Sequence, residues 1–256
     1  MDFQDFKKQV SNYIEIDLNS YKERRVERRS KNLMKKHNLD TFKDCYQKIK
    51  SDSDFQIEFL QHMTINTTEF FRNKENFNYL AENILPELFS NYNKVKIWSA
   101  PSSIGCEPYT MAIILEEMNI DPNRYQLLAT DVDPEAIRQA KLGKYKPNTL
   151  KKTDQKIIKK YFSKENGDYK INPSIKRLVE FDLLNLLEDN YYNNINLLLC
   201  RNFFIYLTKE VKQKLTKRLT SSLVKKGILF VGNTEYLLQP DKYNLEKLHT
   251  SFYQKK

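Results

Sequence analysis

The chain has 256 residues, 40% of them hydrophobic and only five of them glycine, which predicts a folded protein with a sizeable core and excludes a low-complexity chain. Its net charge of +10 favours an acidic partner, and nucleic acid, anionic lipid and an acidic protein surface all stay open at this point. Three widely spaced cysteines without a C-x-x-C pair predict reduced thiols. No apolar run approaches the roughly 18 residues of a membrane span, so we expect a cytoplasmic protein.

The first part of the chain, up to about residue 72, contains no strand pattern and predicts a helical N-terminal domain. Apolar side chains recur at helical spacing from Phe3 to Ile14, and further helices are expected over residues 21–34 and 41–49.

The second of these helices is strongly basic. Its basic side chains outnumber Glu23 and Glu27, while Val26, Leu33 and Met34 are expected to face inward. The basic residues are Lys22, Arg24, Arg25, Arg28, Arg29, Lys31, Lys35 and Lys36. Two interpretations stay open, a solvated helix face in a basic protein and a docking surface for an acidic helix.

From Val95 onward the pattern changes to apolar runs of strand length that alternate with amphipathic stretches. This alternation predicts an α/β domain with a parallel sheet covered by helices on both faces. The expected strands are residues 95–100, 125–130, 178–181, 196–200 and 228–231, and the expected helices cover residues 109–118, 209–224 and a segment that begins at Pro134. Residues 248–253 are expected to form an antiparallel edge strand, and residues 169–171 and 176–181 a small β excursion.

The loop of residues 99–108 leaves the first strand and enters a helix, which is where a parallel sheet commonly holds a nucleotide-like cofactor. It contains one glycine and so lacks the G-x-G-x-x-G pattern of dinucleotide sites, which favours a smaller cofactor such as S-adenosylmethionine. Glu107 in this loop is a candidate acceptor for an amino group or hydroxyl. The alternative for Glu107 is an acid that the helix dipole favours in a first turn.

Polar residues also follow the other expected strands. Asp131 ends the second strand, at a position from which a carboxylate can bind both ribose hydroxyls, whereas Asp133 before Pro134 is typical of a helix N-cap. Asn185 and Asn202 follow the third and fourth strands, and their amides can donate and accept. Each of these asparagines also has the ordinary interpretation of a loop residue.

Arg72 ends a segment of paired aromatic and polar residues between the two regions. An arginine there can bind a carboxylate through a bidentate fork or form an interdomain salt bridge. The three histidines are scattered without metal-ligand spacing, and neither a nucleophile elbow nor a phosphate loop occurs, so no metal site is expected.

Taken in order, these segments resemble the chemotaxis-receptor glutamate methyltransferases, often called CheR, from about Phe3 to Tyr253. The matching motifs are Asn66-x-Thr68-x-Phe70-Phe71-Arg72, Trp98-Ser99-Ala100, Gly105-x-Glu107-Pro108-Tyr109, Ala129-Thr130-Asp131-x-Asp133, Gly143-x-Tyr145, Leu184-Asn185-Leu186, Cys200-Arg201-Asn202, Ile205-Tyr206, Phe230-x-Gly232 and Glu235.

The resemblance implies an all-α N-terminal domain, residues 1–72, that docks receptors. A Rossmann-like S-adenosylmethionine-dependent methyltransferase domain follows, residues 73–256, with a small β subdomain at about residues 163–181. Carried over by position, the residues around the cofactor are Asn66, Thr68, Arg72, Glu107, Asp131, Asn185, Leu186, Arg201 and Asn202. Arg72 and Tyr206 are implied to lie nearest the reacting centre.

The activity that the resemblance implies is protein-glutamate O-methylation. The methyl group of S-adenosylmethionine passes to glutamate carboxylates in the cytoplasmic helical methylation region of chemotaxis receptors, which serves sensory adaptation, and S-adenosylhomocysteine is the product. Neither nucleic acid nor direct membrane insertion is expected. The chain departs from the family pattern at Cys106, where an acid is usual, and in a short hairpin around residues 165–171, which makes binding of a receptor tethering peptide doubtful.

Two rival functions share the cofactor fold. A catalytically silent module could bind S-adenosylmethionine and signal to a partner, although joint retention of Glu107, Asp131, Asn202 and Tyr206 argues against it. A nucleic-acid methyltransferase would explain the basic charge. Enzymes that methylate base amino groups, however, typically carry N/D-P-P-Y/F after the fourth strand, where this chain has Arg-Asn-Phe-Phe at residues 201–204.

Overall fold

The computed structural model describes residues 1–14, 16–63 and 68–256. The chain divides into two compact units, one of Met1–Asn66 with Phe204–Gln213, which we call the helical unit, and one of Thr67–Phe203 with Lys214–Lys256, which we call the sheet unit. Within the described ranges, no helix combines the length and the apolar character that a membrane crossing requires.

The helical unit is built from four helices, of which the apolar spacing predicted the first three and missed the last. They are α1 Phe3–Ile14, α2 Glu23–Lys36, α3 Phe42–Ser51 and α4 Ser53–Met63. Thr41 caps α3 in a capping box, because its hydroxyl accepts from the Asp44 N–H at 3.2 Å and the Asp44 carboxylate accepts from the Thr41 N–H at 3.1 Å. The core contains Phe6 and Phe59, and the predicted inward residues Val26, Leu33 and Met34 are buried.

A distant segment, Phe204–Gln213, completes the helical unit. Tyr21 and Leu207 form an isolated antiparallel bridge, the Lys22 N–H donates to the Tyr206 carbonyl at 2.9 Å, and the Thr208 N–H donates to the Ser20 carbonyl at 3.1 Å. The two hydrogen bonds, which together make up the Tyr21–Leu207 bridge, join segments 186 positions apart in sequence, a contact that helical periodicity alone does not predict.

The sheet unit contains a seven-stranded mixed sheet of order β6-β2-β1-β7-β8-β10-β9. Its strands are β1 Val95–Ser99, β2 Tyr125–Asp131, β6 Val179–Leu183, β7 Ile195–Cys200, β8 Leu223–Val231, β9 Leu245–His249 and β10 Phe252–Lys255. The first five in spatial order are parallel. Every residue of β7 is buried, as expected for a central strand covered on both faces.

The helices after α4 lie in the sheet unit, except that α11 begins within the helical unit. They are α5 Lys74–Tyr79, which continues through a π-helical segment Leu80–Ile84 into α6 Leu85–Asn91, then α7 Cys106–Glu117, α8 Pro134–Leu142, α9 Gln155–Tyr161, α10 Pro173–Lys176 and α11 Lys209–Ser222. The prediction that Asp133 caps α8 is confirmed, because its carboxylate accepts from the N–H groups of Glu135 and Ala136 at 2.9 and 3.2 Å.

Two strand predictions were wrong in detail. Residues 248–253 span the turn between β9 and β10 rather than one strand, and β9 forms the sheet edge; its exposed side chains, apart from Leu245, give it a polar sequence typical of a loop. The small sheet has the order β3-β5-β4, with β3 Lys144–Tyr145, β4 Phe162–Glu165 and β5 Asp168–Ile171. Residues 176–181 do not join it, because β6 pairs in parallel with β2 in the large sheet.

Candidate functional site

Strand β1 is the switch point of the sheet, since it pairs with β2 on one side and with β7 on the other. Parallel strands direct their carboxyl ends to one edge, and ligands bind there, where the strand order reverses. The loop after β1 is tied to both neighbours, because the Ala100 N–H donates to the Leu199 carbonyl at 2.9 Å and the Ser102 N–H donates to the Thr130 carbonyl at 2.8 Å. Candidate residues from four loops therefore share this edge.

Asp131, the last residue of β2, is only 4% exposed. Its two carboxylate oxygens accept from the N–H groups of Ser103 and Asp133, at 2.7 and 3.0 Å. Burial raises the pKa of Asp131 to about 6; the charge of Asp133 adds to the rise, and the backbone donors oppose it. A buried carboxylate with spare lone pairs is well suited to accept from two vicinal hydroxyls.

Glu107 lies in the first turn of α7, whose N-cap residue is Gly105, and both of its carboxylate oxygens have protein partners. One accepts from the Ser99 hydroxyl at 2.8 Å and the other from Arg201 Nη1 at 2.9 Å. Gly105 has φ +87°, and a Cβ there would lie 3.0–3.1 Å from Ala140, Phe181 and Tyr109, so this turn requires glycine. Ser99 and Arg201 therefore hold the Glu107 carboxylate in place, and its oxygens keep lone pairs that can accept further hydrogen bonds.

Arg201, which follows β7, is buried, and its guanidinium lies between the rings of Phe77 and Phe230, 4.9 and 4.6 Å from their centroids. Nη2 donates to the Arg72 carbonyl at 2.8 Å and to Asn73 Oδ1 at 3.1 Å. Burial lowers the pKa of Arg201, and the Glu107 carboxylate opposes this. Since the guanidinium is engaged by these neighbours, it positions Glu107 and the backbone of Arg72.

Arg72 is half-buried and lies between two residues with left-handed backbone, Phe71 at φ +52° and Asn73 at φ +60°. A bulky side chain rarely adopts such a φ, so the surrounding contacts must hold this segment in place. The Phe71 N–H donates to the Thr110 hydroxyl at 3.1 Å, and the hydroxyl of Thr68 is hydrogen-bonded to the buried thiol of Cys106. Backbone strain of this kind concentrates at functional sites.

Asn185 and Leu186 lie in the loop after β6, beside the end of β2, where the Leu184 N–H donates to the Asp131 carbonyl at 3.0 Å. Asn185 Oδ1 accepts from the Leu187 N–H at 3.0 Å. The Leu186 carbonyl accepts from Arg218 Nη1 at 3.0 Å and from the Tyr191 hydroxyl. The Arg218 guanidinium also stacks 4.3 Å above the Tyr191 ring, so these two side chains clamp the loop.

Asn202, after β7, has φ +61° and is joined to the loop after β8 by Glu235. One oxygen of the buried Glu235 carboxylate accepts from the N–H groups of Asn202 and Gly232, at 2.7 and 2.8 Å. A Cβ on Gly232 would lie 2.5 Å from that carboxylate, so the site needs glycine at this position.

Two predicted site residues remain. Asn66 falls outside the described residues. Tyr206 belongs to the helical unit, where the Arg25 guanidinium lies 4.4 Å from its ring centroid. Reasoning from the sequence missed the roles of Ser99, Asn73, Arg218 and Tyr191; of these, only Ser99, at the end of the first strand, carried a usable signal.

The chain is similar to known proteins over nearly its whole length. Residues 1–64 match the CheR methyltransferase all-alpha domain, and residues 66–252 match the CheR methyltransferase SAM binding domain. It is 32% identical over 253 residues to the chemotaxis protein methyltransferases of Listeria innocua and Listeria monocytogenes, which covers 98% of this chain and 96% of each relative. It is 30% identical over 206 residues to a probable chemotaxis protein methyltransferase of Rhizobium etli, which covers 77% of both chains.

Proposed function

The chain belongs to the CheR methyltransferase family, and from this premise we propose that it transfers the methyl group of S-adenosylmethionine to glutamate side chains of chemotaxis receptors, forming methyl esters. The observation that carries the proposal is the pair of fixed carboxylates at the switch point of the sheet, Asp131 at the end of β2 and Glu107 at the start of α7, in a region that matches an S-adenosylmethionine-binding domain.

The polar groups at this edge of the sheet suit the polar groups of the cofactor. Asp131 has the environment to bind the ribose hydroxyls, and Glu107 is held where it can accept from the cofactor's ammonium group. Asn185 has no partner for its Nδ2 group among the described residues, and we propose that this amide, with the neighbouring Leu186, borders the adenine. Asn66, Thr68, Arg72, Arg201 and Asn202 complete the proposed cofactor site; for Arg201 we propose a contact through its backbone, because its guanidinium is buried against Phe77 and Phe230.

The cofactor, when bound, supplies a methyl group on a sulfonium cation. A glutamate carboxylate has an ordinary pKa of about 4.3 and is already ionised at neutral pH, so the chain needs no general base. The burden falls on holding the acceptor in line and keeping water away. We propose that Arg72 and Tyr206 orient the acceptor without neutralising it, since a tightly neutralised carboxylate is a weaker nucleophile.

For receptor recognition we propose the exposed basic residues of segment 22–36, which we call the α2 surface and which are Lys22, Arg24, Arg28, Lys31, Lys35 and Lys36. Lys31 pairs with Glu27 and Lys36 pairs with Glu58, at 2.7 and 2.6 Å. Arg24, Arg28 and Lys35 are exposed and have no ion-pair partner in the described ranges of the chain. Free positive charges on one helix suit an acidic helical substrate.

The decisive test is incubation with S-adenosylmethionine carrying a radiolabelled methyl group and receptor-rich membranes. Glutamyl methyl esters release labelled methanol in mild base, so base-labile label on the receptor supports the proposal. Label that resists base would instead indicate methylation of an amine or a nucleobase, and no label at all in the presence of bound cofactor would favour a silent binding module.

A further inference from the structure

The positive charge of this chain is concentrated in a segment that the proposed function does not use. Residues 141–177 contain 12 lysines and arginines but only three acidic residues, so their net charge is +9, compared with +10 for the whole chain. Because residues 22–36 also carry a net charge of +6, the rest of the chain is net negative. The excess is therefore local and does not reflect a uniformly basic surface.

These basic residues lie in one part of the sheet unit, which contains the small sheet β3-β5-β4 and the short helices α9 and α10. Every one of them except the half-buried Lys176 is exposed. We call this surface the lysine patch; its members are Lys141, Lys144, Lys146, Lys151, Lys152, Lys156, Lys159, Lys160, Lys164, Lys170, Lys176 and Arg177.

Several members of the lysine patch repel one another by position. Lys144 and Lys170 are direct cross-strand partners in the antiparallel pair β3–β5, so their side chains leave the same face of the small sheet. Lys156, Lys159 and Lys160 occupy positions i, i+3 and i+4 of α9 and share one face of that helix. Like charges in both arrangements cost stability.

Acidic neighbours compensate only part of this charge. Asp168 lies 3.1 Å from Lys146 and 3.9 Å from Lys144, and Glu117 lies 2.7 Å from Lys160. Glu69 pairs with Lys151 and Lys152, and Glu165 pairs with Lys170. Six members have no ion-pair partner in any range that the structure describes, namely the half-buried Lys176 and the exposed Lys141, Lys156, Lys159, Lys164 and Arg177.

The chemistry of the lysine patch favours a fluid anionic surface over a protein or a single-stranded nucleic acid, and the test below distinguishes it from a duplex. Lysine is depleted at protein–protein interfaces, which rely on buried aromatic and apolar residues, whereas Leu142 is the only large apolar side chain exposed in this fully described segment. All four of its aromatic residues are buried or half-buried, which leaves no exposed ring on which bases could stack. Lipid headgroups, by contrast, rearrange around point charges that lack fixed geometry.

We propose that the lysine patch binds the sheet unit to a membrane surface that contains anionic lipids, electrostatically and without insertion. Each lysine near such a surface contributes roughly a fivefold gain in affinity. Such binding would restrict the search for a membrane-bound substrate to the plane of the bilayer. The inference goes beyond the proposed function and does not depend on it.

The test is sedimentation of the full-length protein with vesicles of phosphatidylcholine alone and with vesicles that also contain phosphatidylglycerol, at low and at physiological ionic strength. The patch variant is Lys156→Gln/Lys159→Gln/Lys164→Gln. Its matched control is Arg24→Gln/Arg28→Gln/Lys35→Gln, which removes the same number of exposed, unpaired charges from the α2 surface. We expect binding of the wild type only to the anionic vesicles, a loss on the order of 100-fold in the patch variant, and a much smaller loss in the control.

Several outcomes would overturn the proposal. The wild type could fail to bind anionic vesicles at low salt, or the two variants could lose binding equally, which would indicate a diffuse effect of net charge. Preferential binding of duplex nucleic acid at equal phosphate concentration through the same three lysines would assign the patch to a different partner. Methyl transfer to a soluble receptor fragment should be unchanged in the patch variant, and that measurement tests the proposed function separately.

Discussion

The chain holds its charges in two contrasting ways. At the carboxyl edge of the large sheet, Arg201, Glu107 and Asp131 are largely buried, and each has fixed partners at hydrogen-bonding distance. On the α2 surface and the lysine patch, charges are exposed and many lack an ion-pair partner among the described residues. The buried charges position other groups, whereas the exposed charges attract a partner. Buried charges define a geometry that salt hardly perturbs, whereas exposed charges act over a distance that salt controls.

The largest effect should come from breaking the buried pair. Arg201→Met keeps much of the side-chain volume between Phe77 and Phe230 but leaves Glu107 without its cation. We expect a loss of about 3 kcal/mol or more in the free energy of unfolding, measured by urea denaturation. The double variant Arg201→Met/Glu107→Gln should recover part of this loss. Additive losses in the double variant would show that Arg201 contributes mainly by packing.

Next in size is the effect of Asp131 on cofactor binding. Asp131→Ala removes the carboxylate proposed to accept from the ribose and should weaken S-adenosylhomocysteine binding about 100-fold, because charge-assisted hydrogen bonds are worth roughly 1.5–3 kcal/mol each. Isothermal titration calorimetry measures this directly. Asp133→Asn is the matched control, since it keeps an N-cap, and should change affinity little. Unchanged affinity in Asp131→Ala would show that Asp131 does not bind the ribose.

A smaller, graded effect follows from the pKa of Asp131. Its value of about 6, above the ordinary 3.8, means that the unliganded site takes up a proton as the pH falls through 6. The ionised carboxylate is the better acceptor, so affinity for S-adenosylhomocysteine should be constant above about pH 7 and fall by up to tenfold per pH unit below 6. Calorimetry across pH 5 to 8 should show this slope in the wild type and a flat profile in Asp131→Ala.

The same contrast explains what could be predicted from the sequence. The N-cap Asp133 and the resemblance to the family are confirmed. Asp131 and Glu107 could be named as candidates because strand ends and helix starts have local signatures, and their roles as cofactor ligands stay predictions. The burial of Arg201 was not predicted, since an arginine after an apolar strand is typical of an exposed loop. The clamp of Arg218 on Leu186 joins residues 32 apart on different elements, and no local pattern encodes such a contact.

For the surface charges, the sequence predicts their number but not their arrangement. The charge of residues 141–177 can be counted from the sequence, but only the strand register shows that Lys144 lies opposite Lys170.

The domain boundary at residue 72, the tethering peptide and the roles of Arg72 and Tyr206 stay predictions. From the sequence, Arg25 and Arg29 cannot be told from the other basic residues of α2. In the structure, Arg25 stacks on Tyr206 and Arg29 donates to the His62 carbonyl, so substituting either would disturb these contacts as well as any docking to a receptor.

The smallest expected effect lies on the α2 surface, where Arg24→Gln/Arg28→Gln removes two exposed charges that have no ion-pair partner among the described residues. Exposed charges are screened, so the Michaelis constant for a soluble receptor fragment should rise several-fold at low salt and much less at high salt, while the turnover number and cofactor affinity hold. Lys156→Gln/Lys159→Gln is the matched control, because it removes two equally exposed charges from the lysine patch. If both variants raise the Michaelis constant alike, the receptor responds to the total charge of the protein. The proposal that the α2 surface and the lysine patch bind different partners is then wrong. If only the α2 variant does so, substrate recognition is confined to the helical unit, and the lysine patch must be accounted for by another anion.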